Sequence, residues 1–215
     1  MTFKLSPSSL NLMAECPRCF WLDKHKKWKR PKGIFPSLPS GMDGILKTHF
    51  DKFRNKGELP PEIKDHHHTK GLKLFDNMEL LKAWRNNLKG IRWEDEDGNI
   101  LFGAVDNILM KGKKLIVLDY KTRGFALKED TADYYQNQLD LYNFLLRKNR
   151  YETEDFAFLL FYVPKEVAET GEVIFDAILT RRNINIQNAE KIFKNAIKLL
   201  NRECPSKCCE WCDGK

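Results

Sequence analysis

Asp106, Asp119 and Lys121 are the residues whose types and spacing point most directly to chemistry. They lie in the stretch from Gly103 to Lys121, where two apolar, β-branched runs flank Lys111-Gly112-Lys113, the pattern of a β-hairpin. A two-residue loop at Gly112-Lys113 sets Lys111 against Lys114 and Asp106 directly opposite Asp119. Side chains alternate faces along a strand, so Lys121 shares the face of Asp119. Opposed like charges destabilise a strand pair. Either a divalent cation lies between the two carboxylates, or they belong to a solvated face on which Lys121 is an ordinary ion-pair partner. Register decides between these, because a slip of one residue separates the carboxylates.

Other residues offer chemistry of their own. His49 sits among Ile45, Leu46, Phe50 and Phe53 at helical spacing, as a core histidine or as a ligand. Gln138 and Tyr142, four apart on an amphipathic segment, share one helix face. Cys16-x-x-Cys19 and Cys209-x-x-Cys212 form two Cys-x-x-Cys units, an arrangement suited to tetrahedral Zn²⁺. Arg18 and the run Lys26, Lys27, Trp28, Lys29 and Arg30 combine cations with an aromatic ring, as a solvated surface or as a face for a nucleic-acid backbone and a stacked base. His66-His67-His68 lies in a polar segment, where it is read as incidental.

These residues need elements to hold them. Ser6 with Pro7 marks a helix start, running to about Glu15, where Cys16-Pro17-Arg18-Cys19 interrupts it and Phe20-Trp21-Leu22 continues an apolar patch. Pro31 to Pro39 reads as a loop, Ser40 to Lys56 and Leu72 to Leu88 as helices, and Ile91 to Glu94 and Ile100 to Met110 as strands. The second hairpin arm is Leu115 to Lys121. A helix from Asp133 to Lys148, strands at Phe156 to Val163 and Val173 to Leu179, and a helix from Ile186 to Leu200 complete the order. That order predicts an α/β (α+β) fold, a mixed sheet flanked by helices.

Composition narrows the function. With 215 residues, 42% hydrophobic and 31% charged, the chain has enough for a sizeable core and is no disordered polymer. No apolar run reaches transmembrane length and Met1-Thr2-Phe3-Lys4 opens no signal peptide, so a cytoplasmic protein without a membrane partner is expected. Six cysteines then indicate metal or redox chemistry rather than a disulfide framework. A net charge of +7 favours a polyanionic partner.

Five of these segments, in order, resemble the PD-(D/E)XK nuclease superfamily, in the branch that contains Cas4 proteins and the nuclease domains of RecB and AddB. They are the serine-led helix running into Cys16-Pro17-Arg18, the helical His49, Gly103-Ala-Val-Asp106, Asp119-Tyr-Lys121, and Gln138-x-x-x-Tyr142. The resemblance implies a restriction-endonuclease-like core in one nuclease domain over 1–215. That domain would have an N-terminal helical part at 1–70, a catalytic core at 91–200 and a Cys-rich tail at 201–215 packing with 16–19. It implies that Asp106 and Asp119, with His49, hold Mg²⁺ or Mn²⁺, the nitrogen donor tilting the site to Mn²⁺. Lys121 would position or deprotonate water or stabilise charge, with Gln138 and Tyr142 orienting it or touching DNA. Relatives of this kind often carry a 4Fe-4S cluster on one N-terminal and three C-terminal cysteines. Here Cys16 matches, but the last cysteine of that pattern is missing from the sequence that ends at Lys215. Two closures stay open: Cys16 with three of Cys204, Cys208, Cys209 and Cys212 around an iron–sulfur cluster, or the paired Cys-x-x-Cys units around zinc. The expected function is metal-dependent cleavage of DNA ends or single strands in repair, recombination or CRISPR adaptation, with a protein partner there. The alternative is a non-catalytic DNA-end-binding module of such a complex.

Overall fold

The computed structural model describes residues 1–31, 33 and 36–214; Lys32, Ile34 and Phe35 of the expected loop lie outside the described residues. The chain enters through a two-residue strand, β1 (Lys4–Leu5), and a helix, α1 (Pro7–Glu15). Ser6 caps α1: its hydroxyl accepts from Ser9 N–H while the Ser9 hydroxyl accepts from Ser6 N–H. At Cys16 the backbone leaves the helical region and Pro17 starts a second helix, α2 (Pro17–Lys24). The apolar patch around Phe20 is therefore helical. Cys16 is its N-cap, the sulfur accepting from Cys19 N–H at 3.5 Å.

Helix α3 (Ser37–Lys56) begins three residues before Ser40 and ends at Gly57, whose φ of 72° is the left-handed stop that glycine adopts without penalty. A short helix, α4 (Pro61–Lys64), follows. The single helix read from Leu72 to Leu88 is corrected to a strand, β2 (Lys73–Leu74), and a helix, α5 (Met78–Arg85). The cause is local: Asn77 caps α5 by accepting from Leu80 N–H, so the helix starts there.

Next come β3 (Ile91–Glu94), β4 (Ile100–Gly103), β5 (Asn107–Lys111) and β6 (Lys114–Thr122). The strand read from Ile100 to Met110 is thus two, because its halves join different sheets. β4 lies between β1 and β3, whereas β5 lies between β2 and β6. Helix α6 (Gln136–Lys148), strands β7 (Phe156–Val167) and β8 (Val173–Asn183), and helix α7 (Ile186–Leu200) complete the chain. The larger sheet runs β2-β5-β6-β7-β8, parallel only between β6 and β7, where α6 makes the crossover. The architecture is the mixed α/β one expected, two sheets flanked by helices.

Strand β6 is buried on both faces, so its apolar run is continuous. Leu115 and Val117 pack toward α6, and Ile116, Leu118 and Tyr120 toward α3. Alternation then assigns Asp119 and Lys121 to the α6 face. The hairpin register is the one expected, Lys111 against Lys114 and Asn107 against Leu118, with Gly112 at φ 58° in the two-residue turn.

At the end of β4, α6 approaches so closely that a Cβ on Gly103 would lie 2.8 Å from the Tyr142 ring. Gly103→Ala is expected to cost about 1–3 kcal/mol through overpacking against that ring. A lower denaturant midpoint with unchanged steepness would register it, and an unchanged midpoint would show that α6 moves away freely.

Candidate active site

Asp119 is 1% exposed, in the middle of the β6 ladder, and Asp106 stands just before β5 at the matching end of the hairpin. One Asp106 oxygen, Oδ2, accepts from the Tyr120 backbone N–H at 3.0 Å. Burial pushes the Asp119 carboxyl up to about 7; Lys121 opposes the shift and Asp106 adds to it. The two carboxylates therefore act on one another, as facing positions require.

Lys121 forms an ion pair with Asp119 and donates to Gln138 Oε1 at 3.0 Å. Burial works against its ammonium, but Asp119 and Asp106 outweigh burial and hold its pKa up. The Gln138 amide N–H donates to the Tyr142 hydroxyl at 2.7 Å, so Tyr142 sets the amide that sets Lys121. Tyr135, unnoticed in the sequence, puts its ring 4.6 Å from the Lys121 ammonium. Asp106, Asp119, Lys121, Gln138 and Tyr142 are thus brought together.

Behind Asp106 lies a buried polar network joining α3, α5 and the hairpin. Arg85 Nε donates to the Asp106 carbonyl at 2.8 Å, and its Nη1 reaches Asp51 at 2.7 Å. Arg54, also beside Asp51, donates to the Phe75 carbonyl at 2.6 Å and to Asn107 Oδ1 at 2.5 Å. Asn107 in turn donates to the Tyr120 hydroxyl at 2.6 Å.

His49 is not part of this assembly. Its Nε2 lies 3.0 and 3.1 Å from the two Glu62 oxygens, and Glu62 also accepts from the Tyr162 hydroxyl at 2.8 Å. What α3 presents to Asp106 is Lys47, whose Nζ is 3.1 Å from Oδ1 and 2.8 Å from Asp43. The reason is helical phase: Asp43, Lys47, Asp51 and Arg54 recur at intervals of four and three, one face, while His49 is about 200° round the helix from Lys47. That charged stripe was the available signal, and reading α3 only for its apolar residues passed over it.

Two carboxylates suit Mg²⁺, which takes one or two from a protein and completes its octahedron with water and phosphate oxygens.

The cysteines form a second centre. Among the described residues, Cys16, Cys19, Cys209 and Cys212 are the one group of three or more His, Cys, Asp or Glu ligands gathered closely enough for a metal, all four sulfurs within 4.8 Å of one another. Cys16 and Cys212 lie 3.8 Å apart, Cys19 and Cys209 3.5 Å, and Cys209 and Cys212 3.8 Å. Burial pushes the Cys19 thiol up to about 12. Burial also acts on Cys209, but the backbone N–H groups of Trp211 and Cys212 and the Cys19 thiol outweigh it and bring Cys209 down to about 6. Cys204 and Cys208, the alternates, lie outside: Cys204 accepts from Arg18 and exposed Cys208 faces Asp213.

The basic run divides in the same way. Arg18 donates to the Pro205 carbonyl at 2.8 Å, and Arg30 pairs with Glu15 at 2.7 Å and reaches the Cys209 sulfur. Trp28 packs half-buried on the main core rather than standing free for a base. Lys26, Lys27 and Lys29 are exposed. Of the six residues expected to face a nucleic acid, these three lysines point to solvent, while Arg18, Trp28 and Arg30 hold the chain ends or pack on the core. The triple histidine stacks ring on ring at His66–His68 and gathers no further ligand among the described residues. No described helix is long and apolar enough to cross a membrane.

Among curated proteins none matches the chain. A family model described as the PD-(D/E)XK nuclease superfamily matches residues 4–215. The chain belongs to that superfamily, whose members are typically metal-dependent nucleases.

Proposed function

We propose that this member of the PD-(D/E)XK superfamily is a Mg²⁺-dependent deoxyribonuclease that hydrolyses phosphodiester bonds at DNA ends or in single strands. The observation that carries this reading is the close approach of Asp106 and Asp119 at the end of the hairpin, with Lys121 held between Asp119 and Gln138. Asp106 and Asp119 would hold the cation, which when bound would supply an acidified water and screening of the phosphate charge. Lys121 stays an ammonium beside Asp119, so its part is to stabilise charge growing on the phosphoryl oxygens rather than to take the water's proton. Gln138 aims that ammonium and Tyr142 fixes Gln138. Lys26, Lys27 and Lys29 supply salt-sensitive attraction to the strand. The chain works as one nuclease domain, and the joined N- and C-terminal cysteines favour the Cas4-like and AddB-like branch. Cytoplasmic work on DNA in repair or CRISPR adaptation, with a protein partner, fits that branch.

For the cysteine centre we propose zinc. Four thiolates about 2.3 Å from one tetrahedral Zn²⁺ stand about 3.8 Å from each other, and the shorter sulfur separations here are 3.5–3.8 Å. A cubane bound through four different irons needs sulfurs roughly 6 Å apart.

Two measurements test these readings. Asp119→Ala should abolish Mg²⁺-dependent cleavage of labelled single- and double-stranded DNA while the circular dichroism stays native. Full activity in that variant would remove Asp119 from the site, and tight, salt-sensitive DNA binding without any cutting by the native chain would make it a binding module. Elemental analysis should find about one zinc per colourless chain, and Cys212→Ser should lose it together with thermal stability. A brown protein with iron and sulfide would overturn the zinc assignment.

A further inference from the structure

Lys47 has no part in the reading above, yet it occupies the most consequential position left in the site. Asp106 Oδ2 accepts from the Tyr120 N–H, so Oδ1 is the Asp106 oxygen turned away from that backbone donor. Lys47 stands on that oxygen, 3.1 Å away, with its side chain 22% exposed. The same ammonium lies 2.8 Å from each oxygen of Asp43, one helical turn earlier. An ammonium on Oδ1 and a divalent ion about 2.1 Å from the same atom compete for one approach. The lysine stem has the freedom to give way.

We propose that Lys47 guards Asp106 until a divalent cation displaces it, and that the displaced ammonium, kept close by Asp43, then contacts the scissile phosphate. The proposal rests on the assignment of Asp106 and Asp119 as the metal carboxylates. Geometry supports it. Lys121 comes to the carboxylates on the α6 side, held by Gln138, and Lys47 comes from α3 on the other layer. A phosphate at the pair would meet an ammonium from each side, as a doubly charged pentavalent phosphorus requires. A plain structural ion pair would need only Asp43, already in place at the favourable spacing of four.

The test is calorimetric titration of Mn²⁺ into the full chain without DNA, for the native protein, Lys47→Met, Lys47→Gln and Asp119→Ala, with cleavage measured at saturating Mn²⁺. Removing the competitor should tighten Mn²⁺ binding about fivefold or more in both Lys47 variants, and cleavage should still fall about 100-fold. Unchanged or weaker Mn²⁺ binding in both variants overturns the guard, and undiminished cleavage overturns the phosphate contact. If the native isotherm matches that of Asp119→Ala, the metal assignment itself fails and takes this proposal with it. A thermal melt accompanies each variant, and Lys47→Gln keeps a hydrogen-bonding end should Lys47→Met fold poorly.

Discussion

Two carboxylates at facing positions, one of them almost fully buried, are the constraint on which the rest of this molecule depends. A buried carboxylate carries a desolvation penalty of several kcal/mol in real proteins, and a second beside it adds repulsion. The surroundings of Asp106 and Asp119 are organised to offset both. Lys121 pairs with Asp119, Lys47 pairs with Asp106, and the Tyr120 backbone N–H takes a further oxygen. The two ammoniums match the two carboxylates in charge. Such an arrangement is costly as pure architecture, and a leucine pair would pack there at less cost.

Holding that pair steady takes elements from both layers. On one side, Gly103 lets Tyr142 come close enough for its hydroxyl to fix Gln138, and Gln138 fixes Lys121. On the other side, Arg54 and Arg85 tie α3 and α5 to Asn107 and to the backbone of Asp106. The cysteine centre acts at longer range. Residues after α7 have no regular structure among those described, so their position comes from the four sulfurs and a few side-chain contacts to carbonyls. Trp21 Nε1 donates to the Arg202 carbonyl at 3.0 Å, and His25 meets the Leu200 carbonyl at 3.0 Å. These bind the tail to α2, which packs beside α1, and α1 bears on both α6 and α7. The chain ends are thereby linked through α2 and α1 to the helix that carries Gln138.

Much of the site was legible in the sequence because it depends on short-range geometry. A two-residue turn dictates the hairpin register, and period-two alternation dictates the face of Lys121; neither needs knowledge of the rest of the fold. The serine cap of α1 and the full span of α7 were legible for the same reason. What could not be read was anything set by partners distant in sequence. The break between Gly103 and Asn107 exists because β4 pairs with β1 and β3 while β5 pairs with β2 and β6, and continuous apolarity through Ile100 to Met110 hides it. The strand at Lys73–Leu74 is two residues long and owes its existence to β5. Arg18 and Arg30 carry ordinary surface composition, and only the folded tail shows that they serve the cysteines.

His49 marks where a motif and a helix phase part company. Resemblance placed a histidine on a helix before the aspartates, and α3 does carry one. A helix advances about 100° per residue, however, and the buried anchors Leu46 and Phe50 fix which way it faces. With those two against the sheet, Lys47 and Asp43 look toward Asp106, and His49 looks toward Glu62. Lys47 and His49 therefore leave α3 on opposite flanks of the Leu46–Phe50 stripe. The consequence is electrostatic: toward Asp106, α3 presents an ammonium, which adds positive charge and has no lone pair to donate.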